Sequence, residues 1–181
     1  IHQPEPLIEH PWRLTMELYG SSELILFFFP GASIMTRSPL PVIFLAFSRH
    51  HLDGYNSLAH LGNEANALQK LLDGKHKEGI CEPVVRENVT FGKIADVVQD
   101  PALRDRIAVF HFAGIGDEVG IVLENEQGEV VYPSPEEFVS MFAHLPNLKL
   151  VFLNVCCGQA HVEHLQRAGI RYIITTLAQV P

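Results

Sequence analysis

Three stretches of this chain are continuous apolar runs that stop abruptly on chemistry-bearing residues. Leu150-Val-Phe-Leu gives way to Asn154-Val-Cys156-Cys157-Gly158. Ile107-Ala-Val-Phe-His111-Phe-Ala ends on Gly114-Ile115-Gly116. Val42-Ile-Phe-Leu-Ala-Phe47 runs into a polar loop carrying His50 and His51. Runs without polar alternation read as strands buried on both faces, the mark of a parallel sheet. In open α/β sheets, ligands and chemistry gather beyond the carboxyl ends of the strands. A thiol and an imidazole delivered to neighbouring strand ends point to cysteine-nucleophile chemistry.

Helical stripes lie between these runs. Asn63 reads as the cap of a helix to about Leu72, with Leu68, Leu71 and Leu72 on one face and Gly74 as its stop. Thr90 reads as the cap of a second helix with the stripe Ile94, Val97 and Val98. Ser134-Pro-Glu-Glu137 is a helix start, with a cap and a proline in the first turn. His161 to Ala168 is a last helix, closed by Gly169. Glu82–Glu87 and Tyr172–Thr176 complete a set of five strands with 42–47, 107–112 and 148–153. Val119 to Tyr132 differs, with two apolar runs flanking Asn125-Glu-Gln-Gly128, a hairpin signal. The order is an α/β sandwich with a mostly parallel sheet and a β-hairpin insertion. Right-handed crossovers place helices on both faces.

Residues 1–38 differ in character, punctuated by prolines 4, 6, 11 and 30. They read as an extension or linker with one strand, Glu23–Phe29. Residues 39–181 are the domain.

Composition narrows the function classes. The formal net charge of −8 argues against nucleic acid, since phosphate binding needs a basic surface. It would suit a basic peptide or partner. Three cysteines, two of them adjacent, suggest a reduced, cytoplasmic protein. No apolar run approaches the roughly 20 residues of a spanning helix, so no membrane is expected.

Each candidate residue has a plainer reading. Cys156 is either a nucleophile at a strand end or a small buried filler. His111, between Phe110 and Phe112, reads as a buried histidine with polar neighbours, with a general base as the alternative. Gly114-x-Gly116-x-x-x-Gly120 has neither the spacing nor the following helix of a dinucleotide loop. Cys156, Cys157, His161 and His164 do not have a usual zinc spacing, and the two histidines read as a solvated helix face. No metal or cofactor is expected. His50 and His51 read as a solvated loop that could line a groove.

Three segments together carry a family resemblance: Pro41-Val-Ile-Phe-Leu-Ala-Phe47, Arg106-Ile-Ala-Val-Phe-His-Phe-Ala-Gly114 and Leu148-Lys-Leu-Val-Phe-Leu-Asn154-x-Cys156. From about residue 40 to 180 the chain resembles the CHAT domain, a caspase-like cysteine peptidase family often found in bacteria beside tetratricopeptide repeats. The resemblance implies a three-layer caspase–haemoglobinase sandwich and a Cys-His dyad that cleaves peptide bonds. It implies Cys156 as the nucleophile, with Cys157 its neighbour, and oxyanion donors on the backbone near Gly116 and Cys156. The family's HFxGHG-like motif here reads His111-Phe-Ala-Gly-Ile115-Gly116. His111 matches its structural histidine, and Ile115 stands where the catalytic histidine belongs.

An isoleucine cannot move a proton, so hydrolysis is expected to be lost or strongly impaired. Two alternatives stand beside this. One is an active peptidase whose base is His111 or a histidine of the His50–His51 loop. The other is a non-catalytic α/β binding or scaffold module. The chain ends at Pro181, where members of the family continue, so a C-terminally truncated domain is expected. The expected partners are a peptide or protein and an adjacent domain such as tetratricopeptide repeats.

Overall fold

The computed structural model describes residues 12–18, 22–28, 39–48, 58–116, 119–156 and 159–176. The chain forms two compact units, Ile1–Ser38 and Pro39–Pro181. In the first, β1 (Trp12–Leu18) and β2 (Ser22–Phe28) pair antiparallel, Trp12 opposite Phe28 and Leu18 opposite Ser22. Sequence alone pointed only to the second strand. The first also carries a strand signal, Trp12, Leu14, Met16 and Leu18 alternating with Arg13, Thr15 and Glu17.

The second unit runs β3 (Val42–Ser48), α1 (Leu58–Lys77), β4 (Glu82–Val89), α2 (Phe91–Gln99), β5 (Ile107–Ala113), β6 (Ile115–Gly116), β7 (Ile121–Glu124), β8 (Val130–Val131), α3 (Pro135–Ser140), β9 (Leu150–Cys156), α4 (Gln159–Arg167) and β10 (Tyr172–Thr176). Five of these strands form one parallel sheet in the order β10-β9-β5-β3-β4. β6, β7 and β8 form a small antiparallel sheet of their own. This is the mostly parallel α/β sandwich with a hairpin insertion that the apolar runs imply.

Both faces of the sheet are covered. On one face Phe44, Phe110, Phe112, Val151 and Leu153 join a buried cluster with α2, α3, α4 and β7. Its centre is aromatic: Phe110 lies 4.6 Å from Phe142 and 6.3 Å from Phe138 between ring centroids. Burying one such phenylalanine contributes about 1.5–3 kcal/mol. The alternate residues Ile43, Leu45 and Phe47 face the other way and are buried too. α1 lies against β3 and β4, with Ala65, Leu68 and Leu72 buried.

α1 is longer than the sequence suggested. It begins at Leu58, so Asn63 is an interior residue and not a cap, and it runs through Gly74 to Lys77. A single glycine costs a helix only about 1 kcal/mol. The basic Lys75, His76 and Lys77 suit the negative end of the helix. The stop is Gly79, at φ +75°, with the Gly79 and Ile80 amides donating back to His76 and Lys75 carbonyls.

Thr90 ties the hairpin to α2. The Thr90 hydroxyl accepts from the Lys93 amide at 3.2 Å, capping α2. The same hydroxyl donates to the Glu126 carboxylate in the β7–β8 turn at 2.5 Å. Thr90 also bridges Glu124 in parallel fashion. A carboxylate is favoured at this helix end. Thr90→Ala should therefore lower stability by about 1–2 kcal/mol in thermal melts. An unchanged melting temperature would contradict this anchoring.

α3 opens with a full capping box. The Glu137 amide donates to the Ser134 hydroxyl at 3.2 Å, and the Ser134 amide donates to the Glu137 carboxylate at 2.9 Å. The Ser134 backbone bond, then its side chain, holds the Glu137 carboxyl below the usual glutamate range. A carboxyl lowered on folding stabilises above its unfolded value of about 4.3 and loses that contribution as pH falls through the folded value. The stability gap between wild type and Glu137→Gln should thus narrow as pH drops from about 5 to about 3. A gap independent of pH in that window would refute the assignment.

Candidate active site

The chain leaves β3 toward β4 on one side of the sheet and later returns to β5 on the other. The carboxyl ends of β3 and β5 are therefore the point where strand order reverses, the usual place for a ligand in such sheets. Ser48 closes β3 and is 5% exposed. Gly114 follows β5, and its Cα faces the Ser48 hydroxyl. A Cβ there would run into that hydroxyl and stand 2.9 Å from the ring of the fully buried Phe112. The Gly114 amide donates to the Asn154 carbonyl at 3.4 Å, joining the end of β5 to β9.

Ile115 and Gly116 are not loop residues. They form β6, opposite Val122 and Ile121 of β7, because the hairpin doubles back to offer them a partner. Both are half-buried, and β6 runs alongside β9. β9 extends to Cys156, so Asn154 and Cys156 belong to the strand and do not lie beyond it. Cys156 stands opposite Thr176 of β10. The fold thus brings the backbone of Ile115 and Gly116 beside the strand that ends at Cys156. The side chain of Cys156 lies outside the described residues, as do Cys157, Gly158, His50 and His51.

His111 sits inside the sheet. It pairs with Leu45 of β3 and Phe152 of β9, and it is 3% exposed. Its ring centroid lies 5.6 Å from that of Phe47 and 4.8 Å from that of Phe152. Its Nε2 faces Oε1 of Glu64, on α1, at 3.4 Å. That separation is long for a hydrogen bond and is an electrostatic contact. Each Glu64 carboxylate oxygen also accepts from the Asn154 amide nitrogen, both at 3.1 Å.

Glu64 is the residue that sequence reasoning missed. It falls on the apolar stripe of α1, in line with Leu61, Ala65, Leu68 and Leu72. A carboxylate on the buried stripe of an amphipathic helix is a signal in itself. Starting the helix at Asn63 hid it, because an acid in a first turn is ordinary.

The helix face of His161 is another correction. It is not solvated: His161 is 1% exposed, its ring 6.0 Å from Phe138 in an edge contact. A Cβ on Gly120 would lie 3.3 Å from that ring. α4 turns this face inward because Leu165, one turn on, belongs to the main core. Among the described residues, no three histidine, cysteine, aspartate or glutamate side chains are placed to hold a metal ion. No described helix is long and apolar enough to cross a membrane.

No family profile matches the chain, and no curated protein matches it. Among solved structures it is similar to one described as pro-sf-caspase-1, at 16% identity and a TM-score of 0.44. The likeness covers 73% of this chain and 55% of that one, so the chain spans little more than half of it.

The packing at Gly114 makes a direct prediction. Gly114→Ala should cost about 1–3 kcal/mol, because the Phe112 ring has no room to yield. Equal stability of variant and wild type in chemical denaturation would show that the strand ends are looser than described.

Proposed function

We propose that residues 39–181 are a CHAT-type, caspase-like cysteine peptidase domain whose dyad is incomplete. Cys156 is the nucleophile position. The backbone near Gly116 and Cys156 supplies the oxyanion site. Ile115 occupies the place of the base, so the domain binds peptide or protein segments and hydrolyses them very slowly. Its partners are a peptide, for which the net charge of −8 favours a basic sequence, and an adjacent domain such as tetratricopeptide repeats.

One observation carries this reading. Ile115 lies in β6, beside the strand that ends at Cys156, while His111 is shut within the sheet under α1. A general base must reach the proton it takes, within about 3 Å or through one water. His111 precedes the strand end and meets Phe47, Phe152 and Glu64, so its burial favours a structural role. The resemblance to the family's motif, residue by residue, supports the same assignment.

Restoring the base tests the proposal. Ile115→His should raise peptidase activity on a peptide library by about 10²–10⁴-fold, the usual worth of general acid–base help. A thiol-reactive peptide should label Cys156 ahead of Cys81, whose thiol burial pushes up and makes sluggish. A wild-type chain that already cleaves peptides, and loses this with a folded His111→Gln variant, would make the incomplete dyad wrong.

A further inference from the structure

We infer that His161 is a positioning residue for the Gly116 side of the proposed oxyanion site, a role that rests on the cysteine-site reading. His161 is the third residue of α4 and lies five residues beyond Cys156 in the chain. Its side chain is buried and meets two other elements. One is Phe138 of α3, in an edge contact at 6.0 Å between ring centroids. The other is the backbone of Gly120, just before β7. That approach is close: a Cβ on Gly120 would stand 3.3 Å from Cε1 and 3.9 Å from Nε2 of the ring. Gly120 also has φ +153°, a conformation that a side chain would strain. Both features call for glycine where the ring meets the backbone.

From Gly120 the path to the site is one residue and one pairing. Ile121 follows it and stands opposite Gly116 of β6. β6 in turn runs alongside β9. At its far end β7 meets α2, through the bridge between Glu124 and Thr90. At its near end, the end that pairs with Gly116, it meets α4 through His161. The ring thus links the helix that follows Cys156 to the strand pair that places Gly116. These are the two sources of the proposed oxyanion donors. Such donors must sit close to where the charge develops, and a misplacement of about 1 Å can cost about 10²-fold in rate. His161 acts by the volume of its ring, through Gly120 and Ile121, and is no catalytic group.

Two readouts on the whole chain test this. Amide hydrogen exchange needs no reactivity: His161→Ala should speed exchange of the β6 and β7 amides about tenfold, with the β3 and β5 amides little changed. His161→Leu, close to histidine in volume, should stay within about threefold of wild type. His161→Val removes less of the ring's volume and is read in the same way if His161→Ala fails to fold. The second readout compares two reagents at Cys156. With a peptide aldehyde ending in arginine, the sulfur adds to the carbonyl carbon, and the oxygen takes first the charge and then a proton. With iodoacetamide the sulfur displaces iodide and no oxyanion forms. The preference for the aldehyde should fall about tenfold in His161→Ala and persist in His161→Leu, whereas a general loss of stability would move both reagents together. Unchanged β6–β7 exchange in a folded small variant, loosening spread evenly over β3 and β5, an unaltered preference, or no rescue by leucine overturns the positioning role. Altered and rescued exchange, in a protein whose wild-type Cys156 takes up no peptide aldehyde, would keep His161 as the holder of β7 and overturn the cysteine-site reading instead.

Discussion

A histidine stands in the middle of a parallel sheet buried on both faces, and the carboxylate of Glu64 is what meets it there. Leaving a buried polar group unmatched costs about 1–3 kcal/mol. Phe47 and Phe152 fill the space on either side of His111 and offer no polar partner. Among the described residues, Glu64 of α1 is the charged group that meets His111, at 3.4 Å. What these contacts secure is geometry: Glu64 of α1 accepts from Asn154 of β9 and lies 3.4 Å from His111 of β5.

The rest of the domain packs the sheet and anchors the hairpin beside it. The aromatic core of Phe110, Phe112, Phe138 and Phe142 fills the opposite face. Thr90 and Glu126 moor the hairpin, so that β7 is present to pair β6 and turn Ile115 and Gly116 into strand. Gly114 lets β5 pass close to Ser48. The result is a frame at the carboxyl edge, in which the backbone of Ile115 and Gly116 stands beside the strand that ends at Cys156.

Much of this frame was legible in the residues. The continuous runs at 42–47 and 107–112 are strands because a parallel sheet is apolar on both faces. Thr90 and Ser134 cap their helices because their hydroxyls have amides in reach. The failures share a cause. Asn154 looks like a strand terminator and Asn63 like a helix cap, yet β9 runs from Leu150 to Cys156 and α1 begins at Leu58. Taken alone each polar residue looks like an end signal, whereas the half-buried Asn154 donates to the Glu64 carboxylate, 90 residues away. Ile115 and Gly116 pair as β6 although a two-residue strand has no periodicity to read. His161 was read as solvated because its polar ring hides an inward helix face.

In the proposed function the thiol position lacks its imidazole. The most direct measurement is the distance, in a crystal structure of this chain, from the Cys156 sulfur to the nearest imidazole nitrogen. A working dyad needs about 4–5 Å at most, even with the loose geometry of an unliganded site. The account expects Ile115 beside the sulfur and every histidine, His50, His51 and His111 included, beyond that range. A histidine nitrogen within about 4 Å of the sulfur would contradict it.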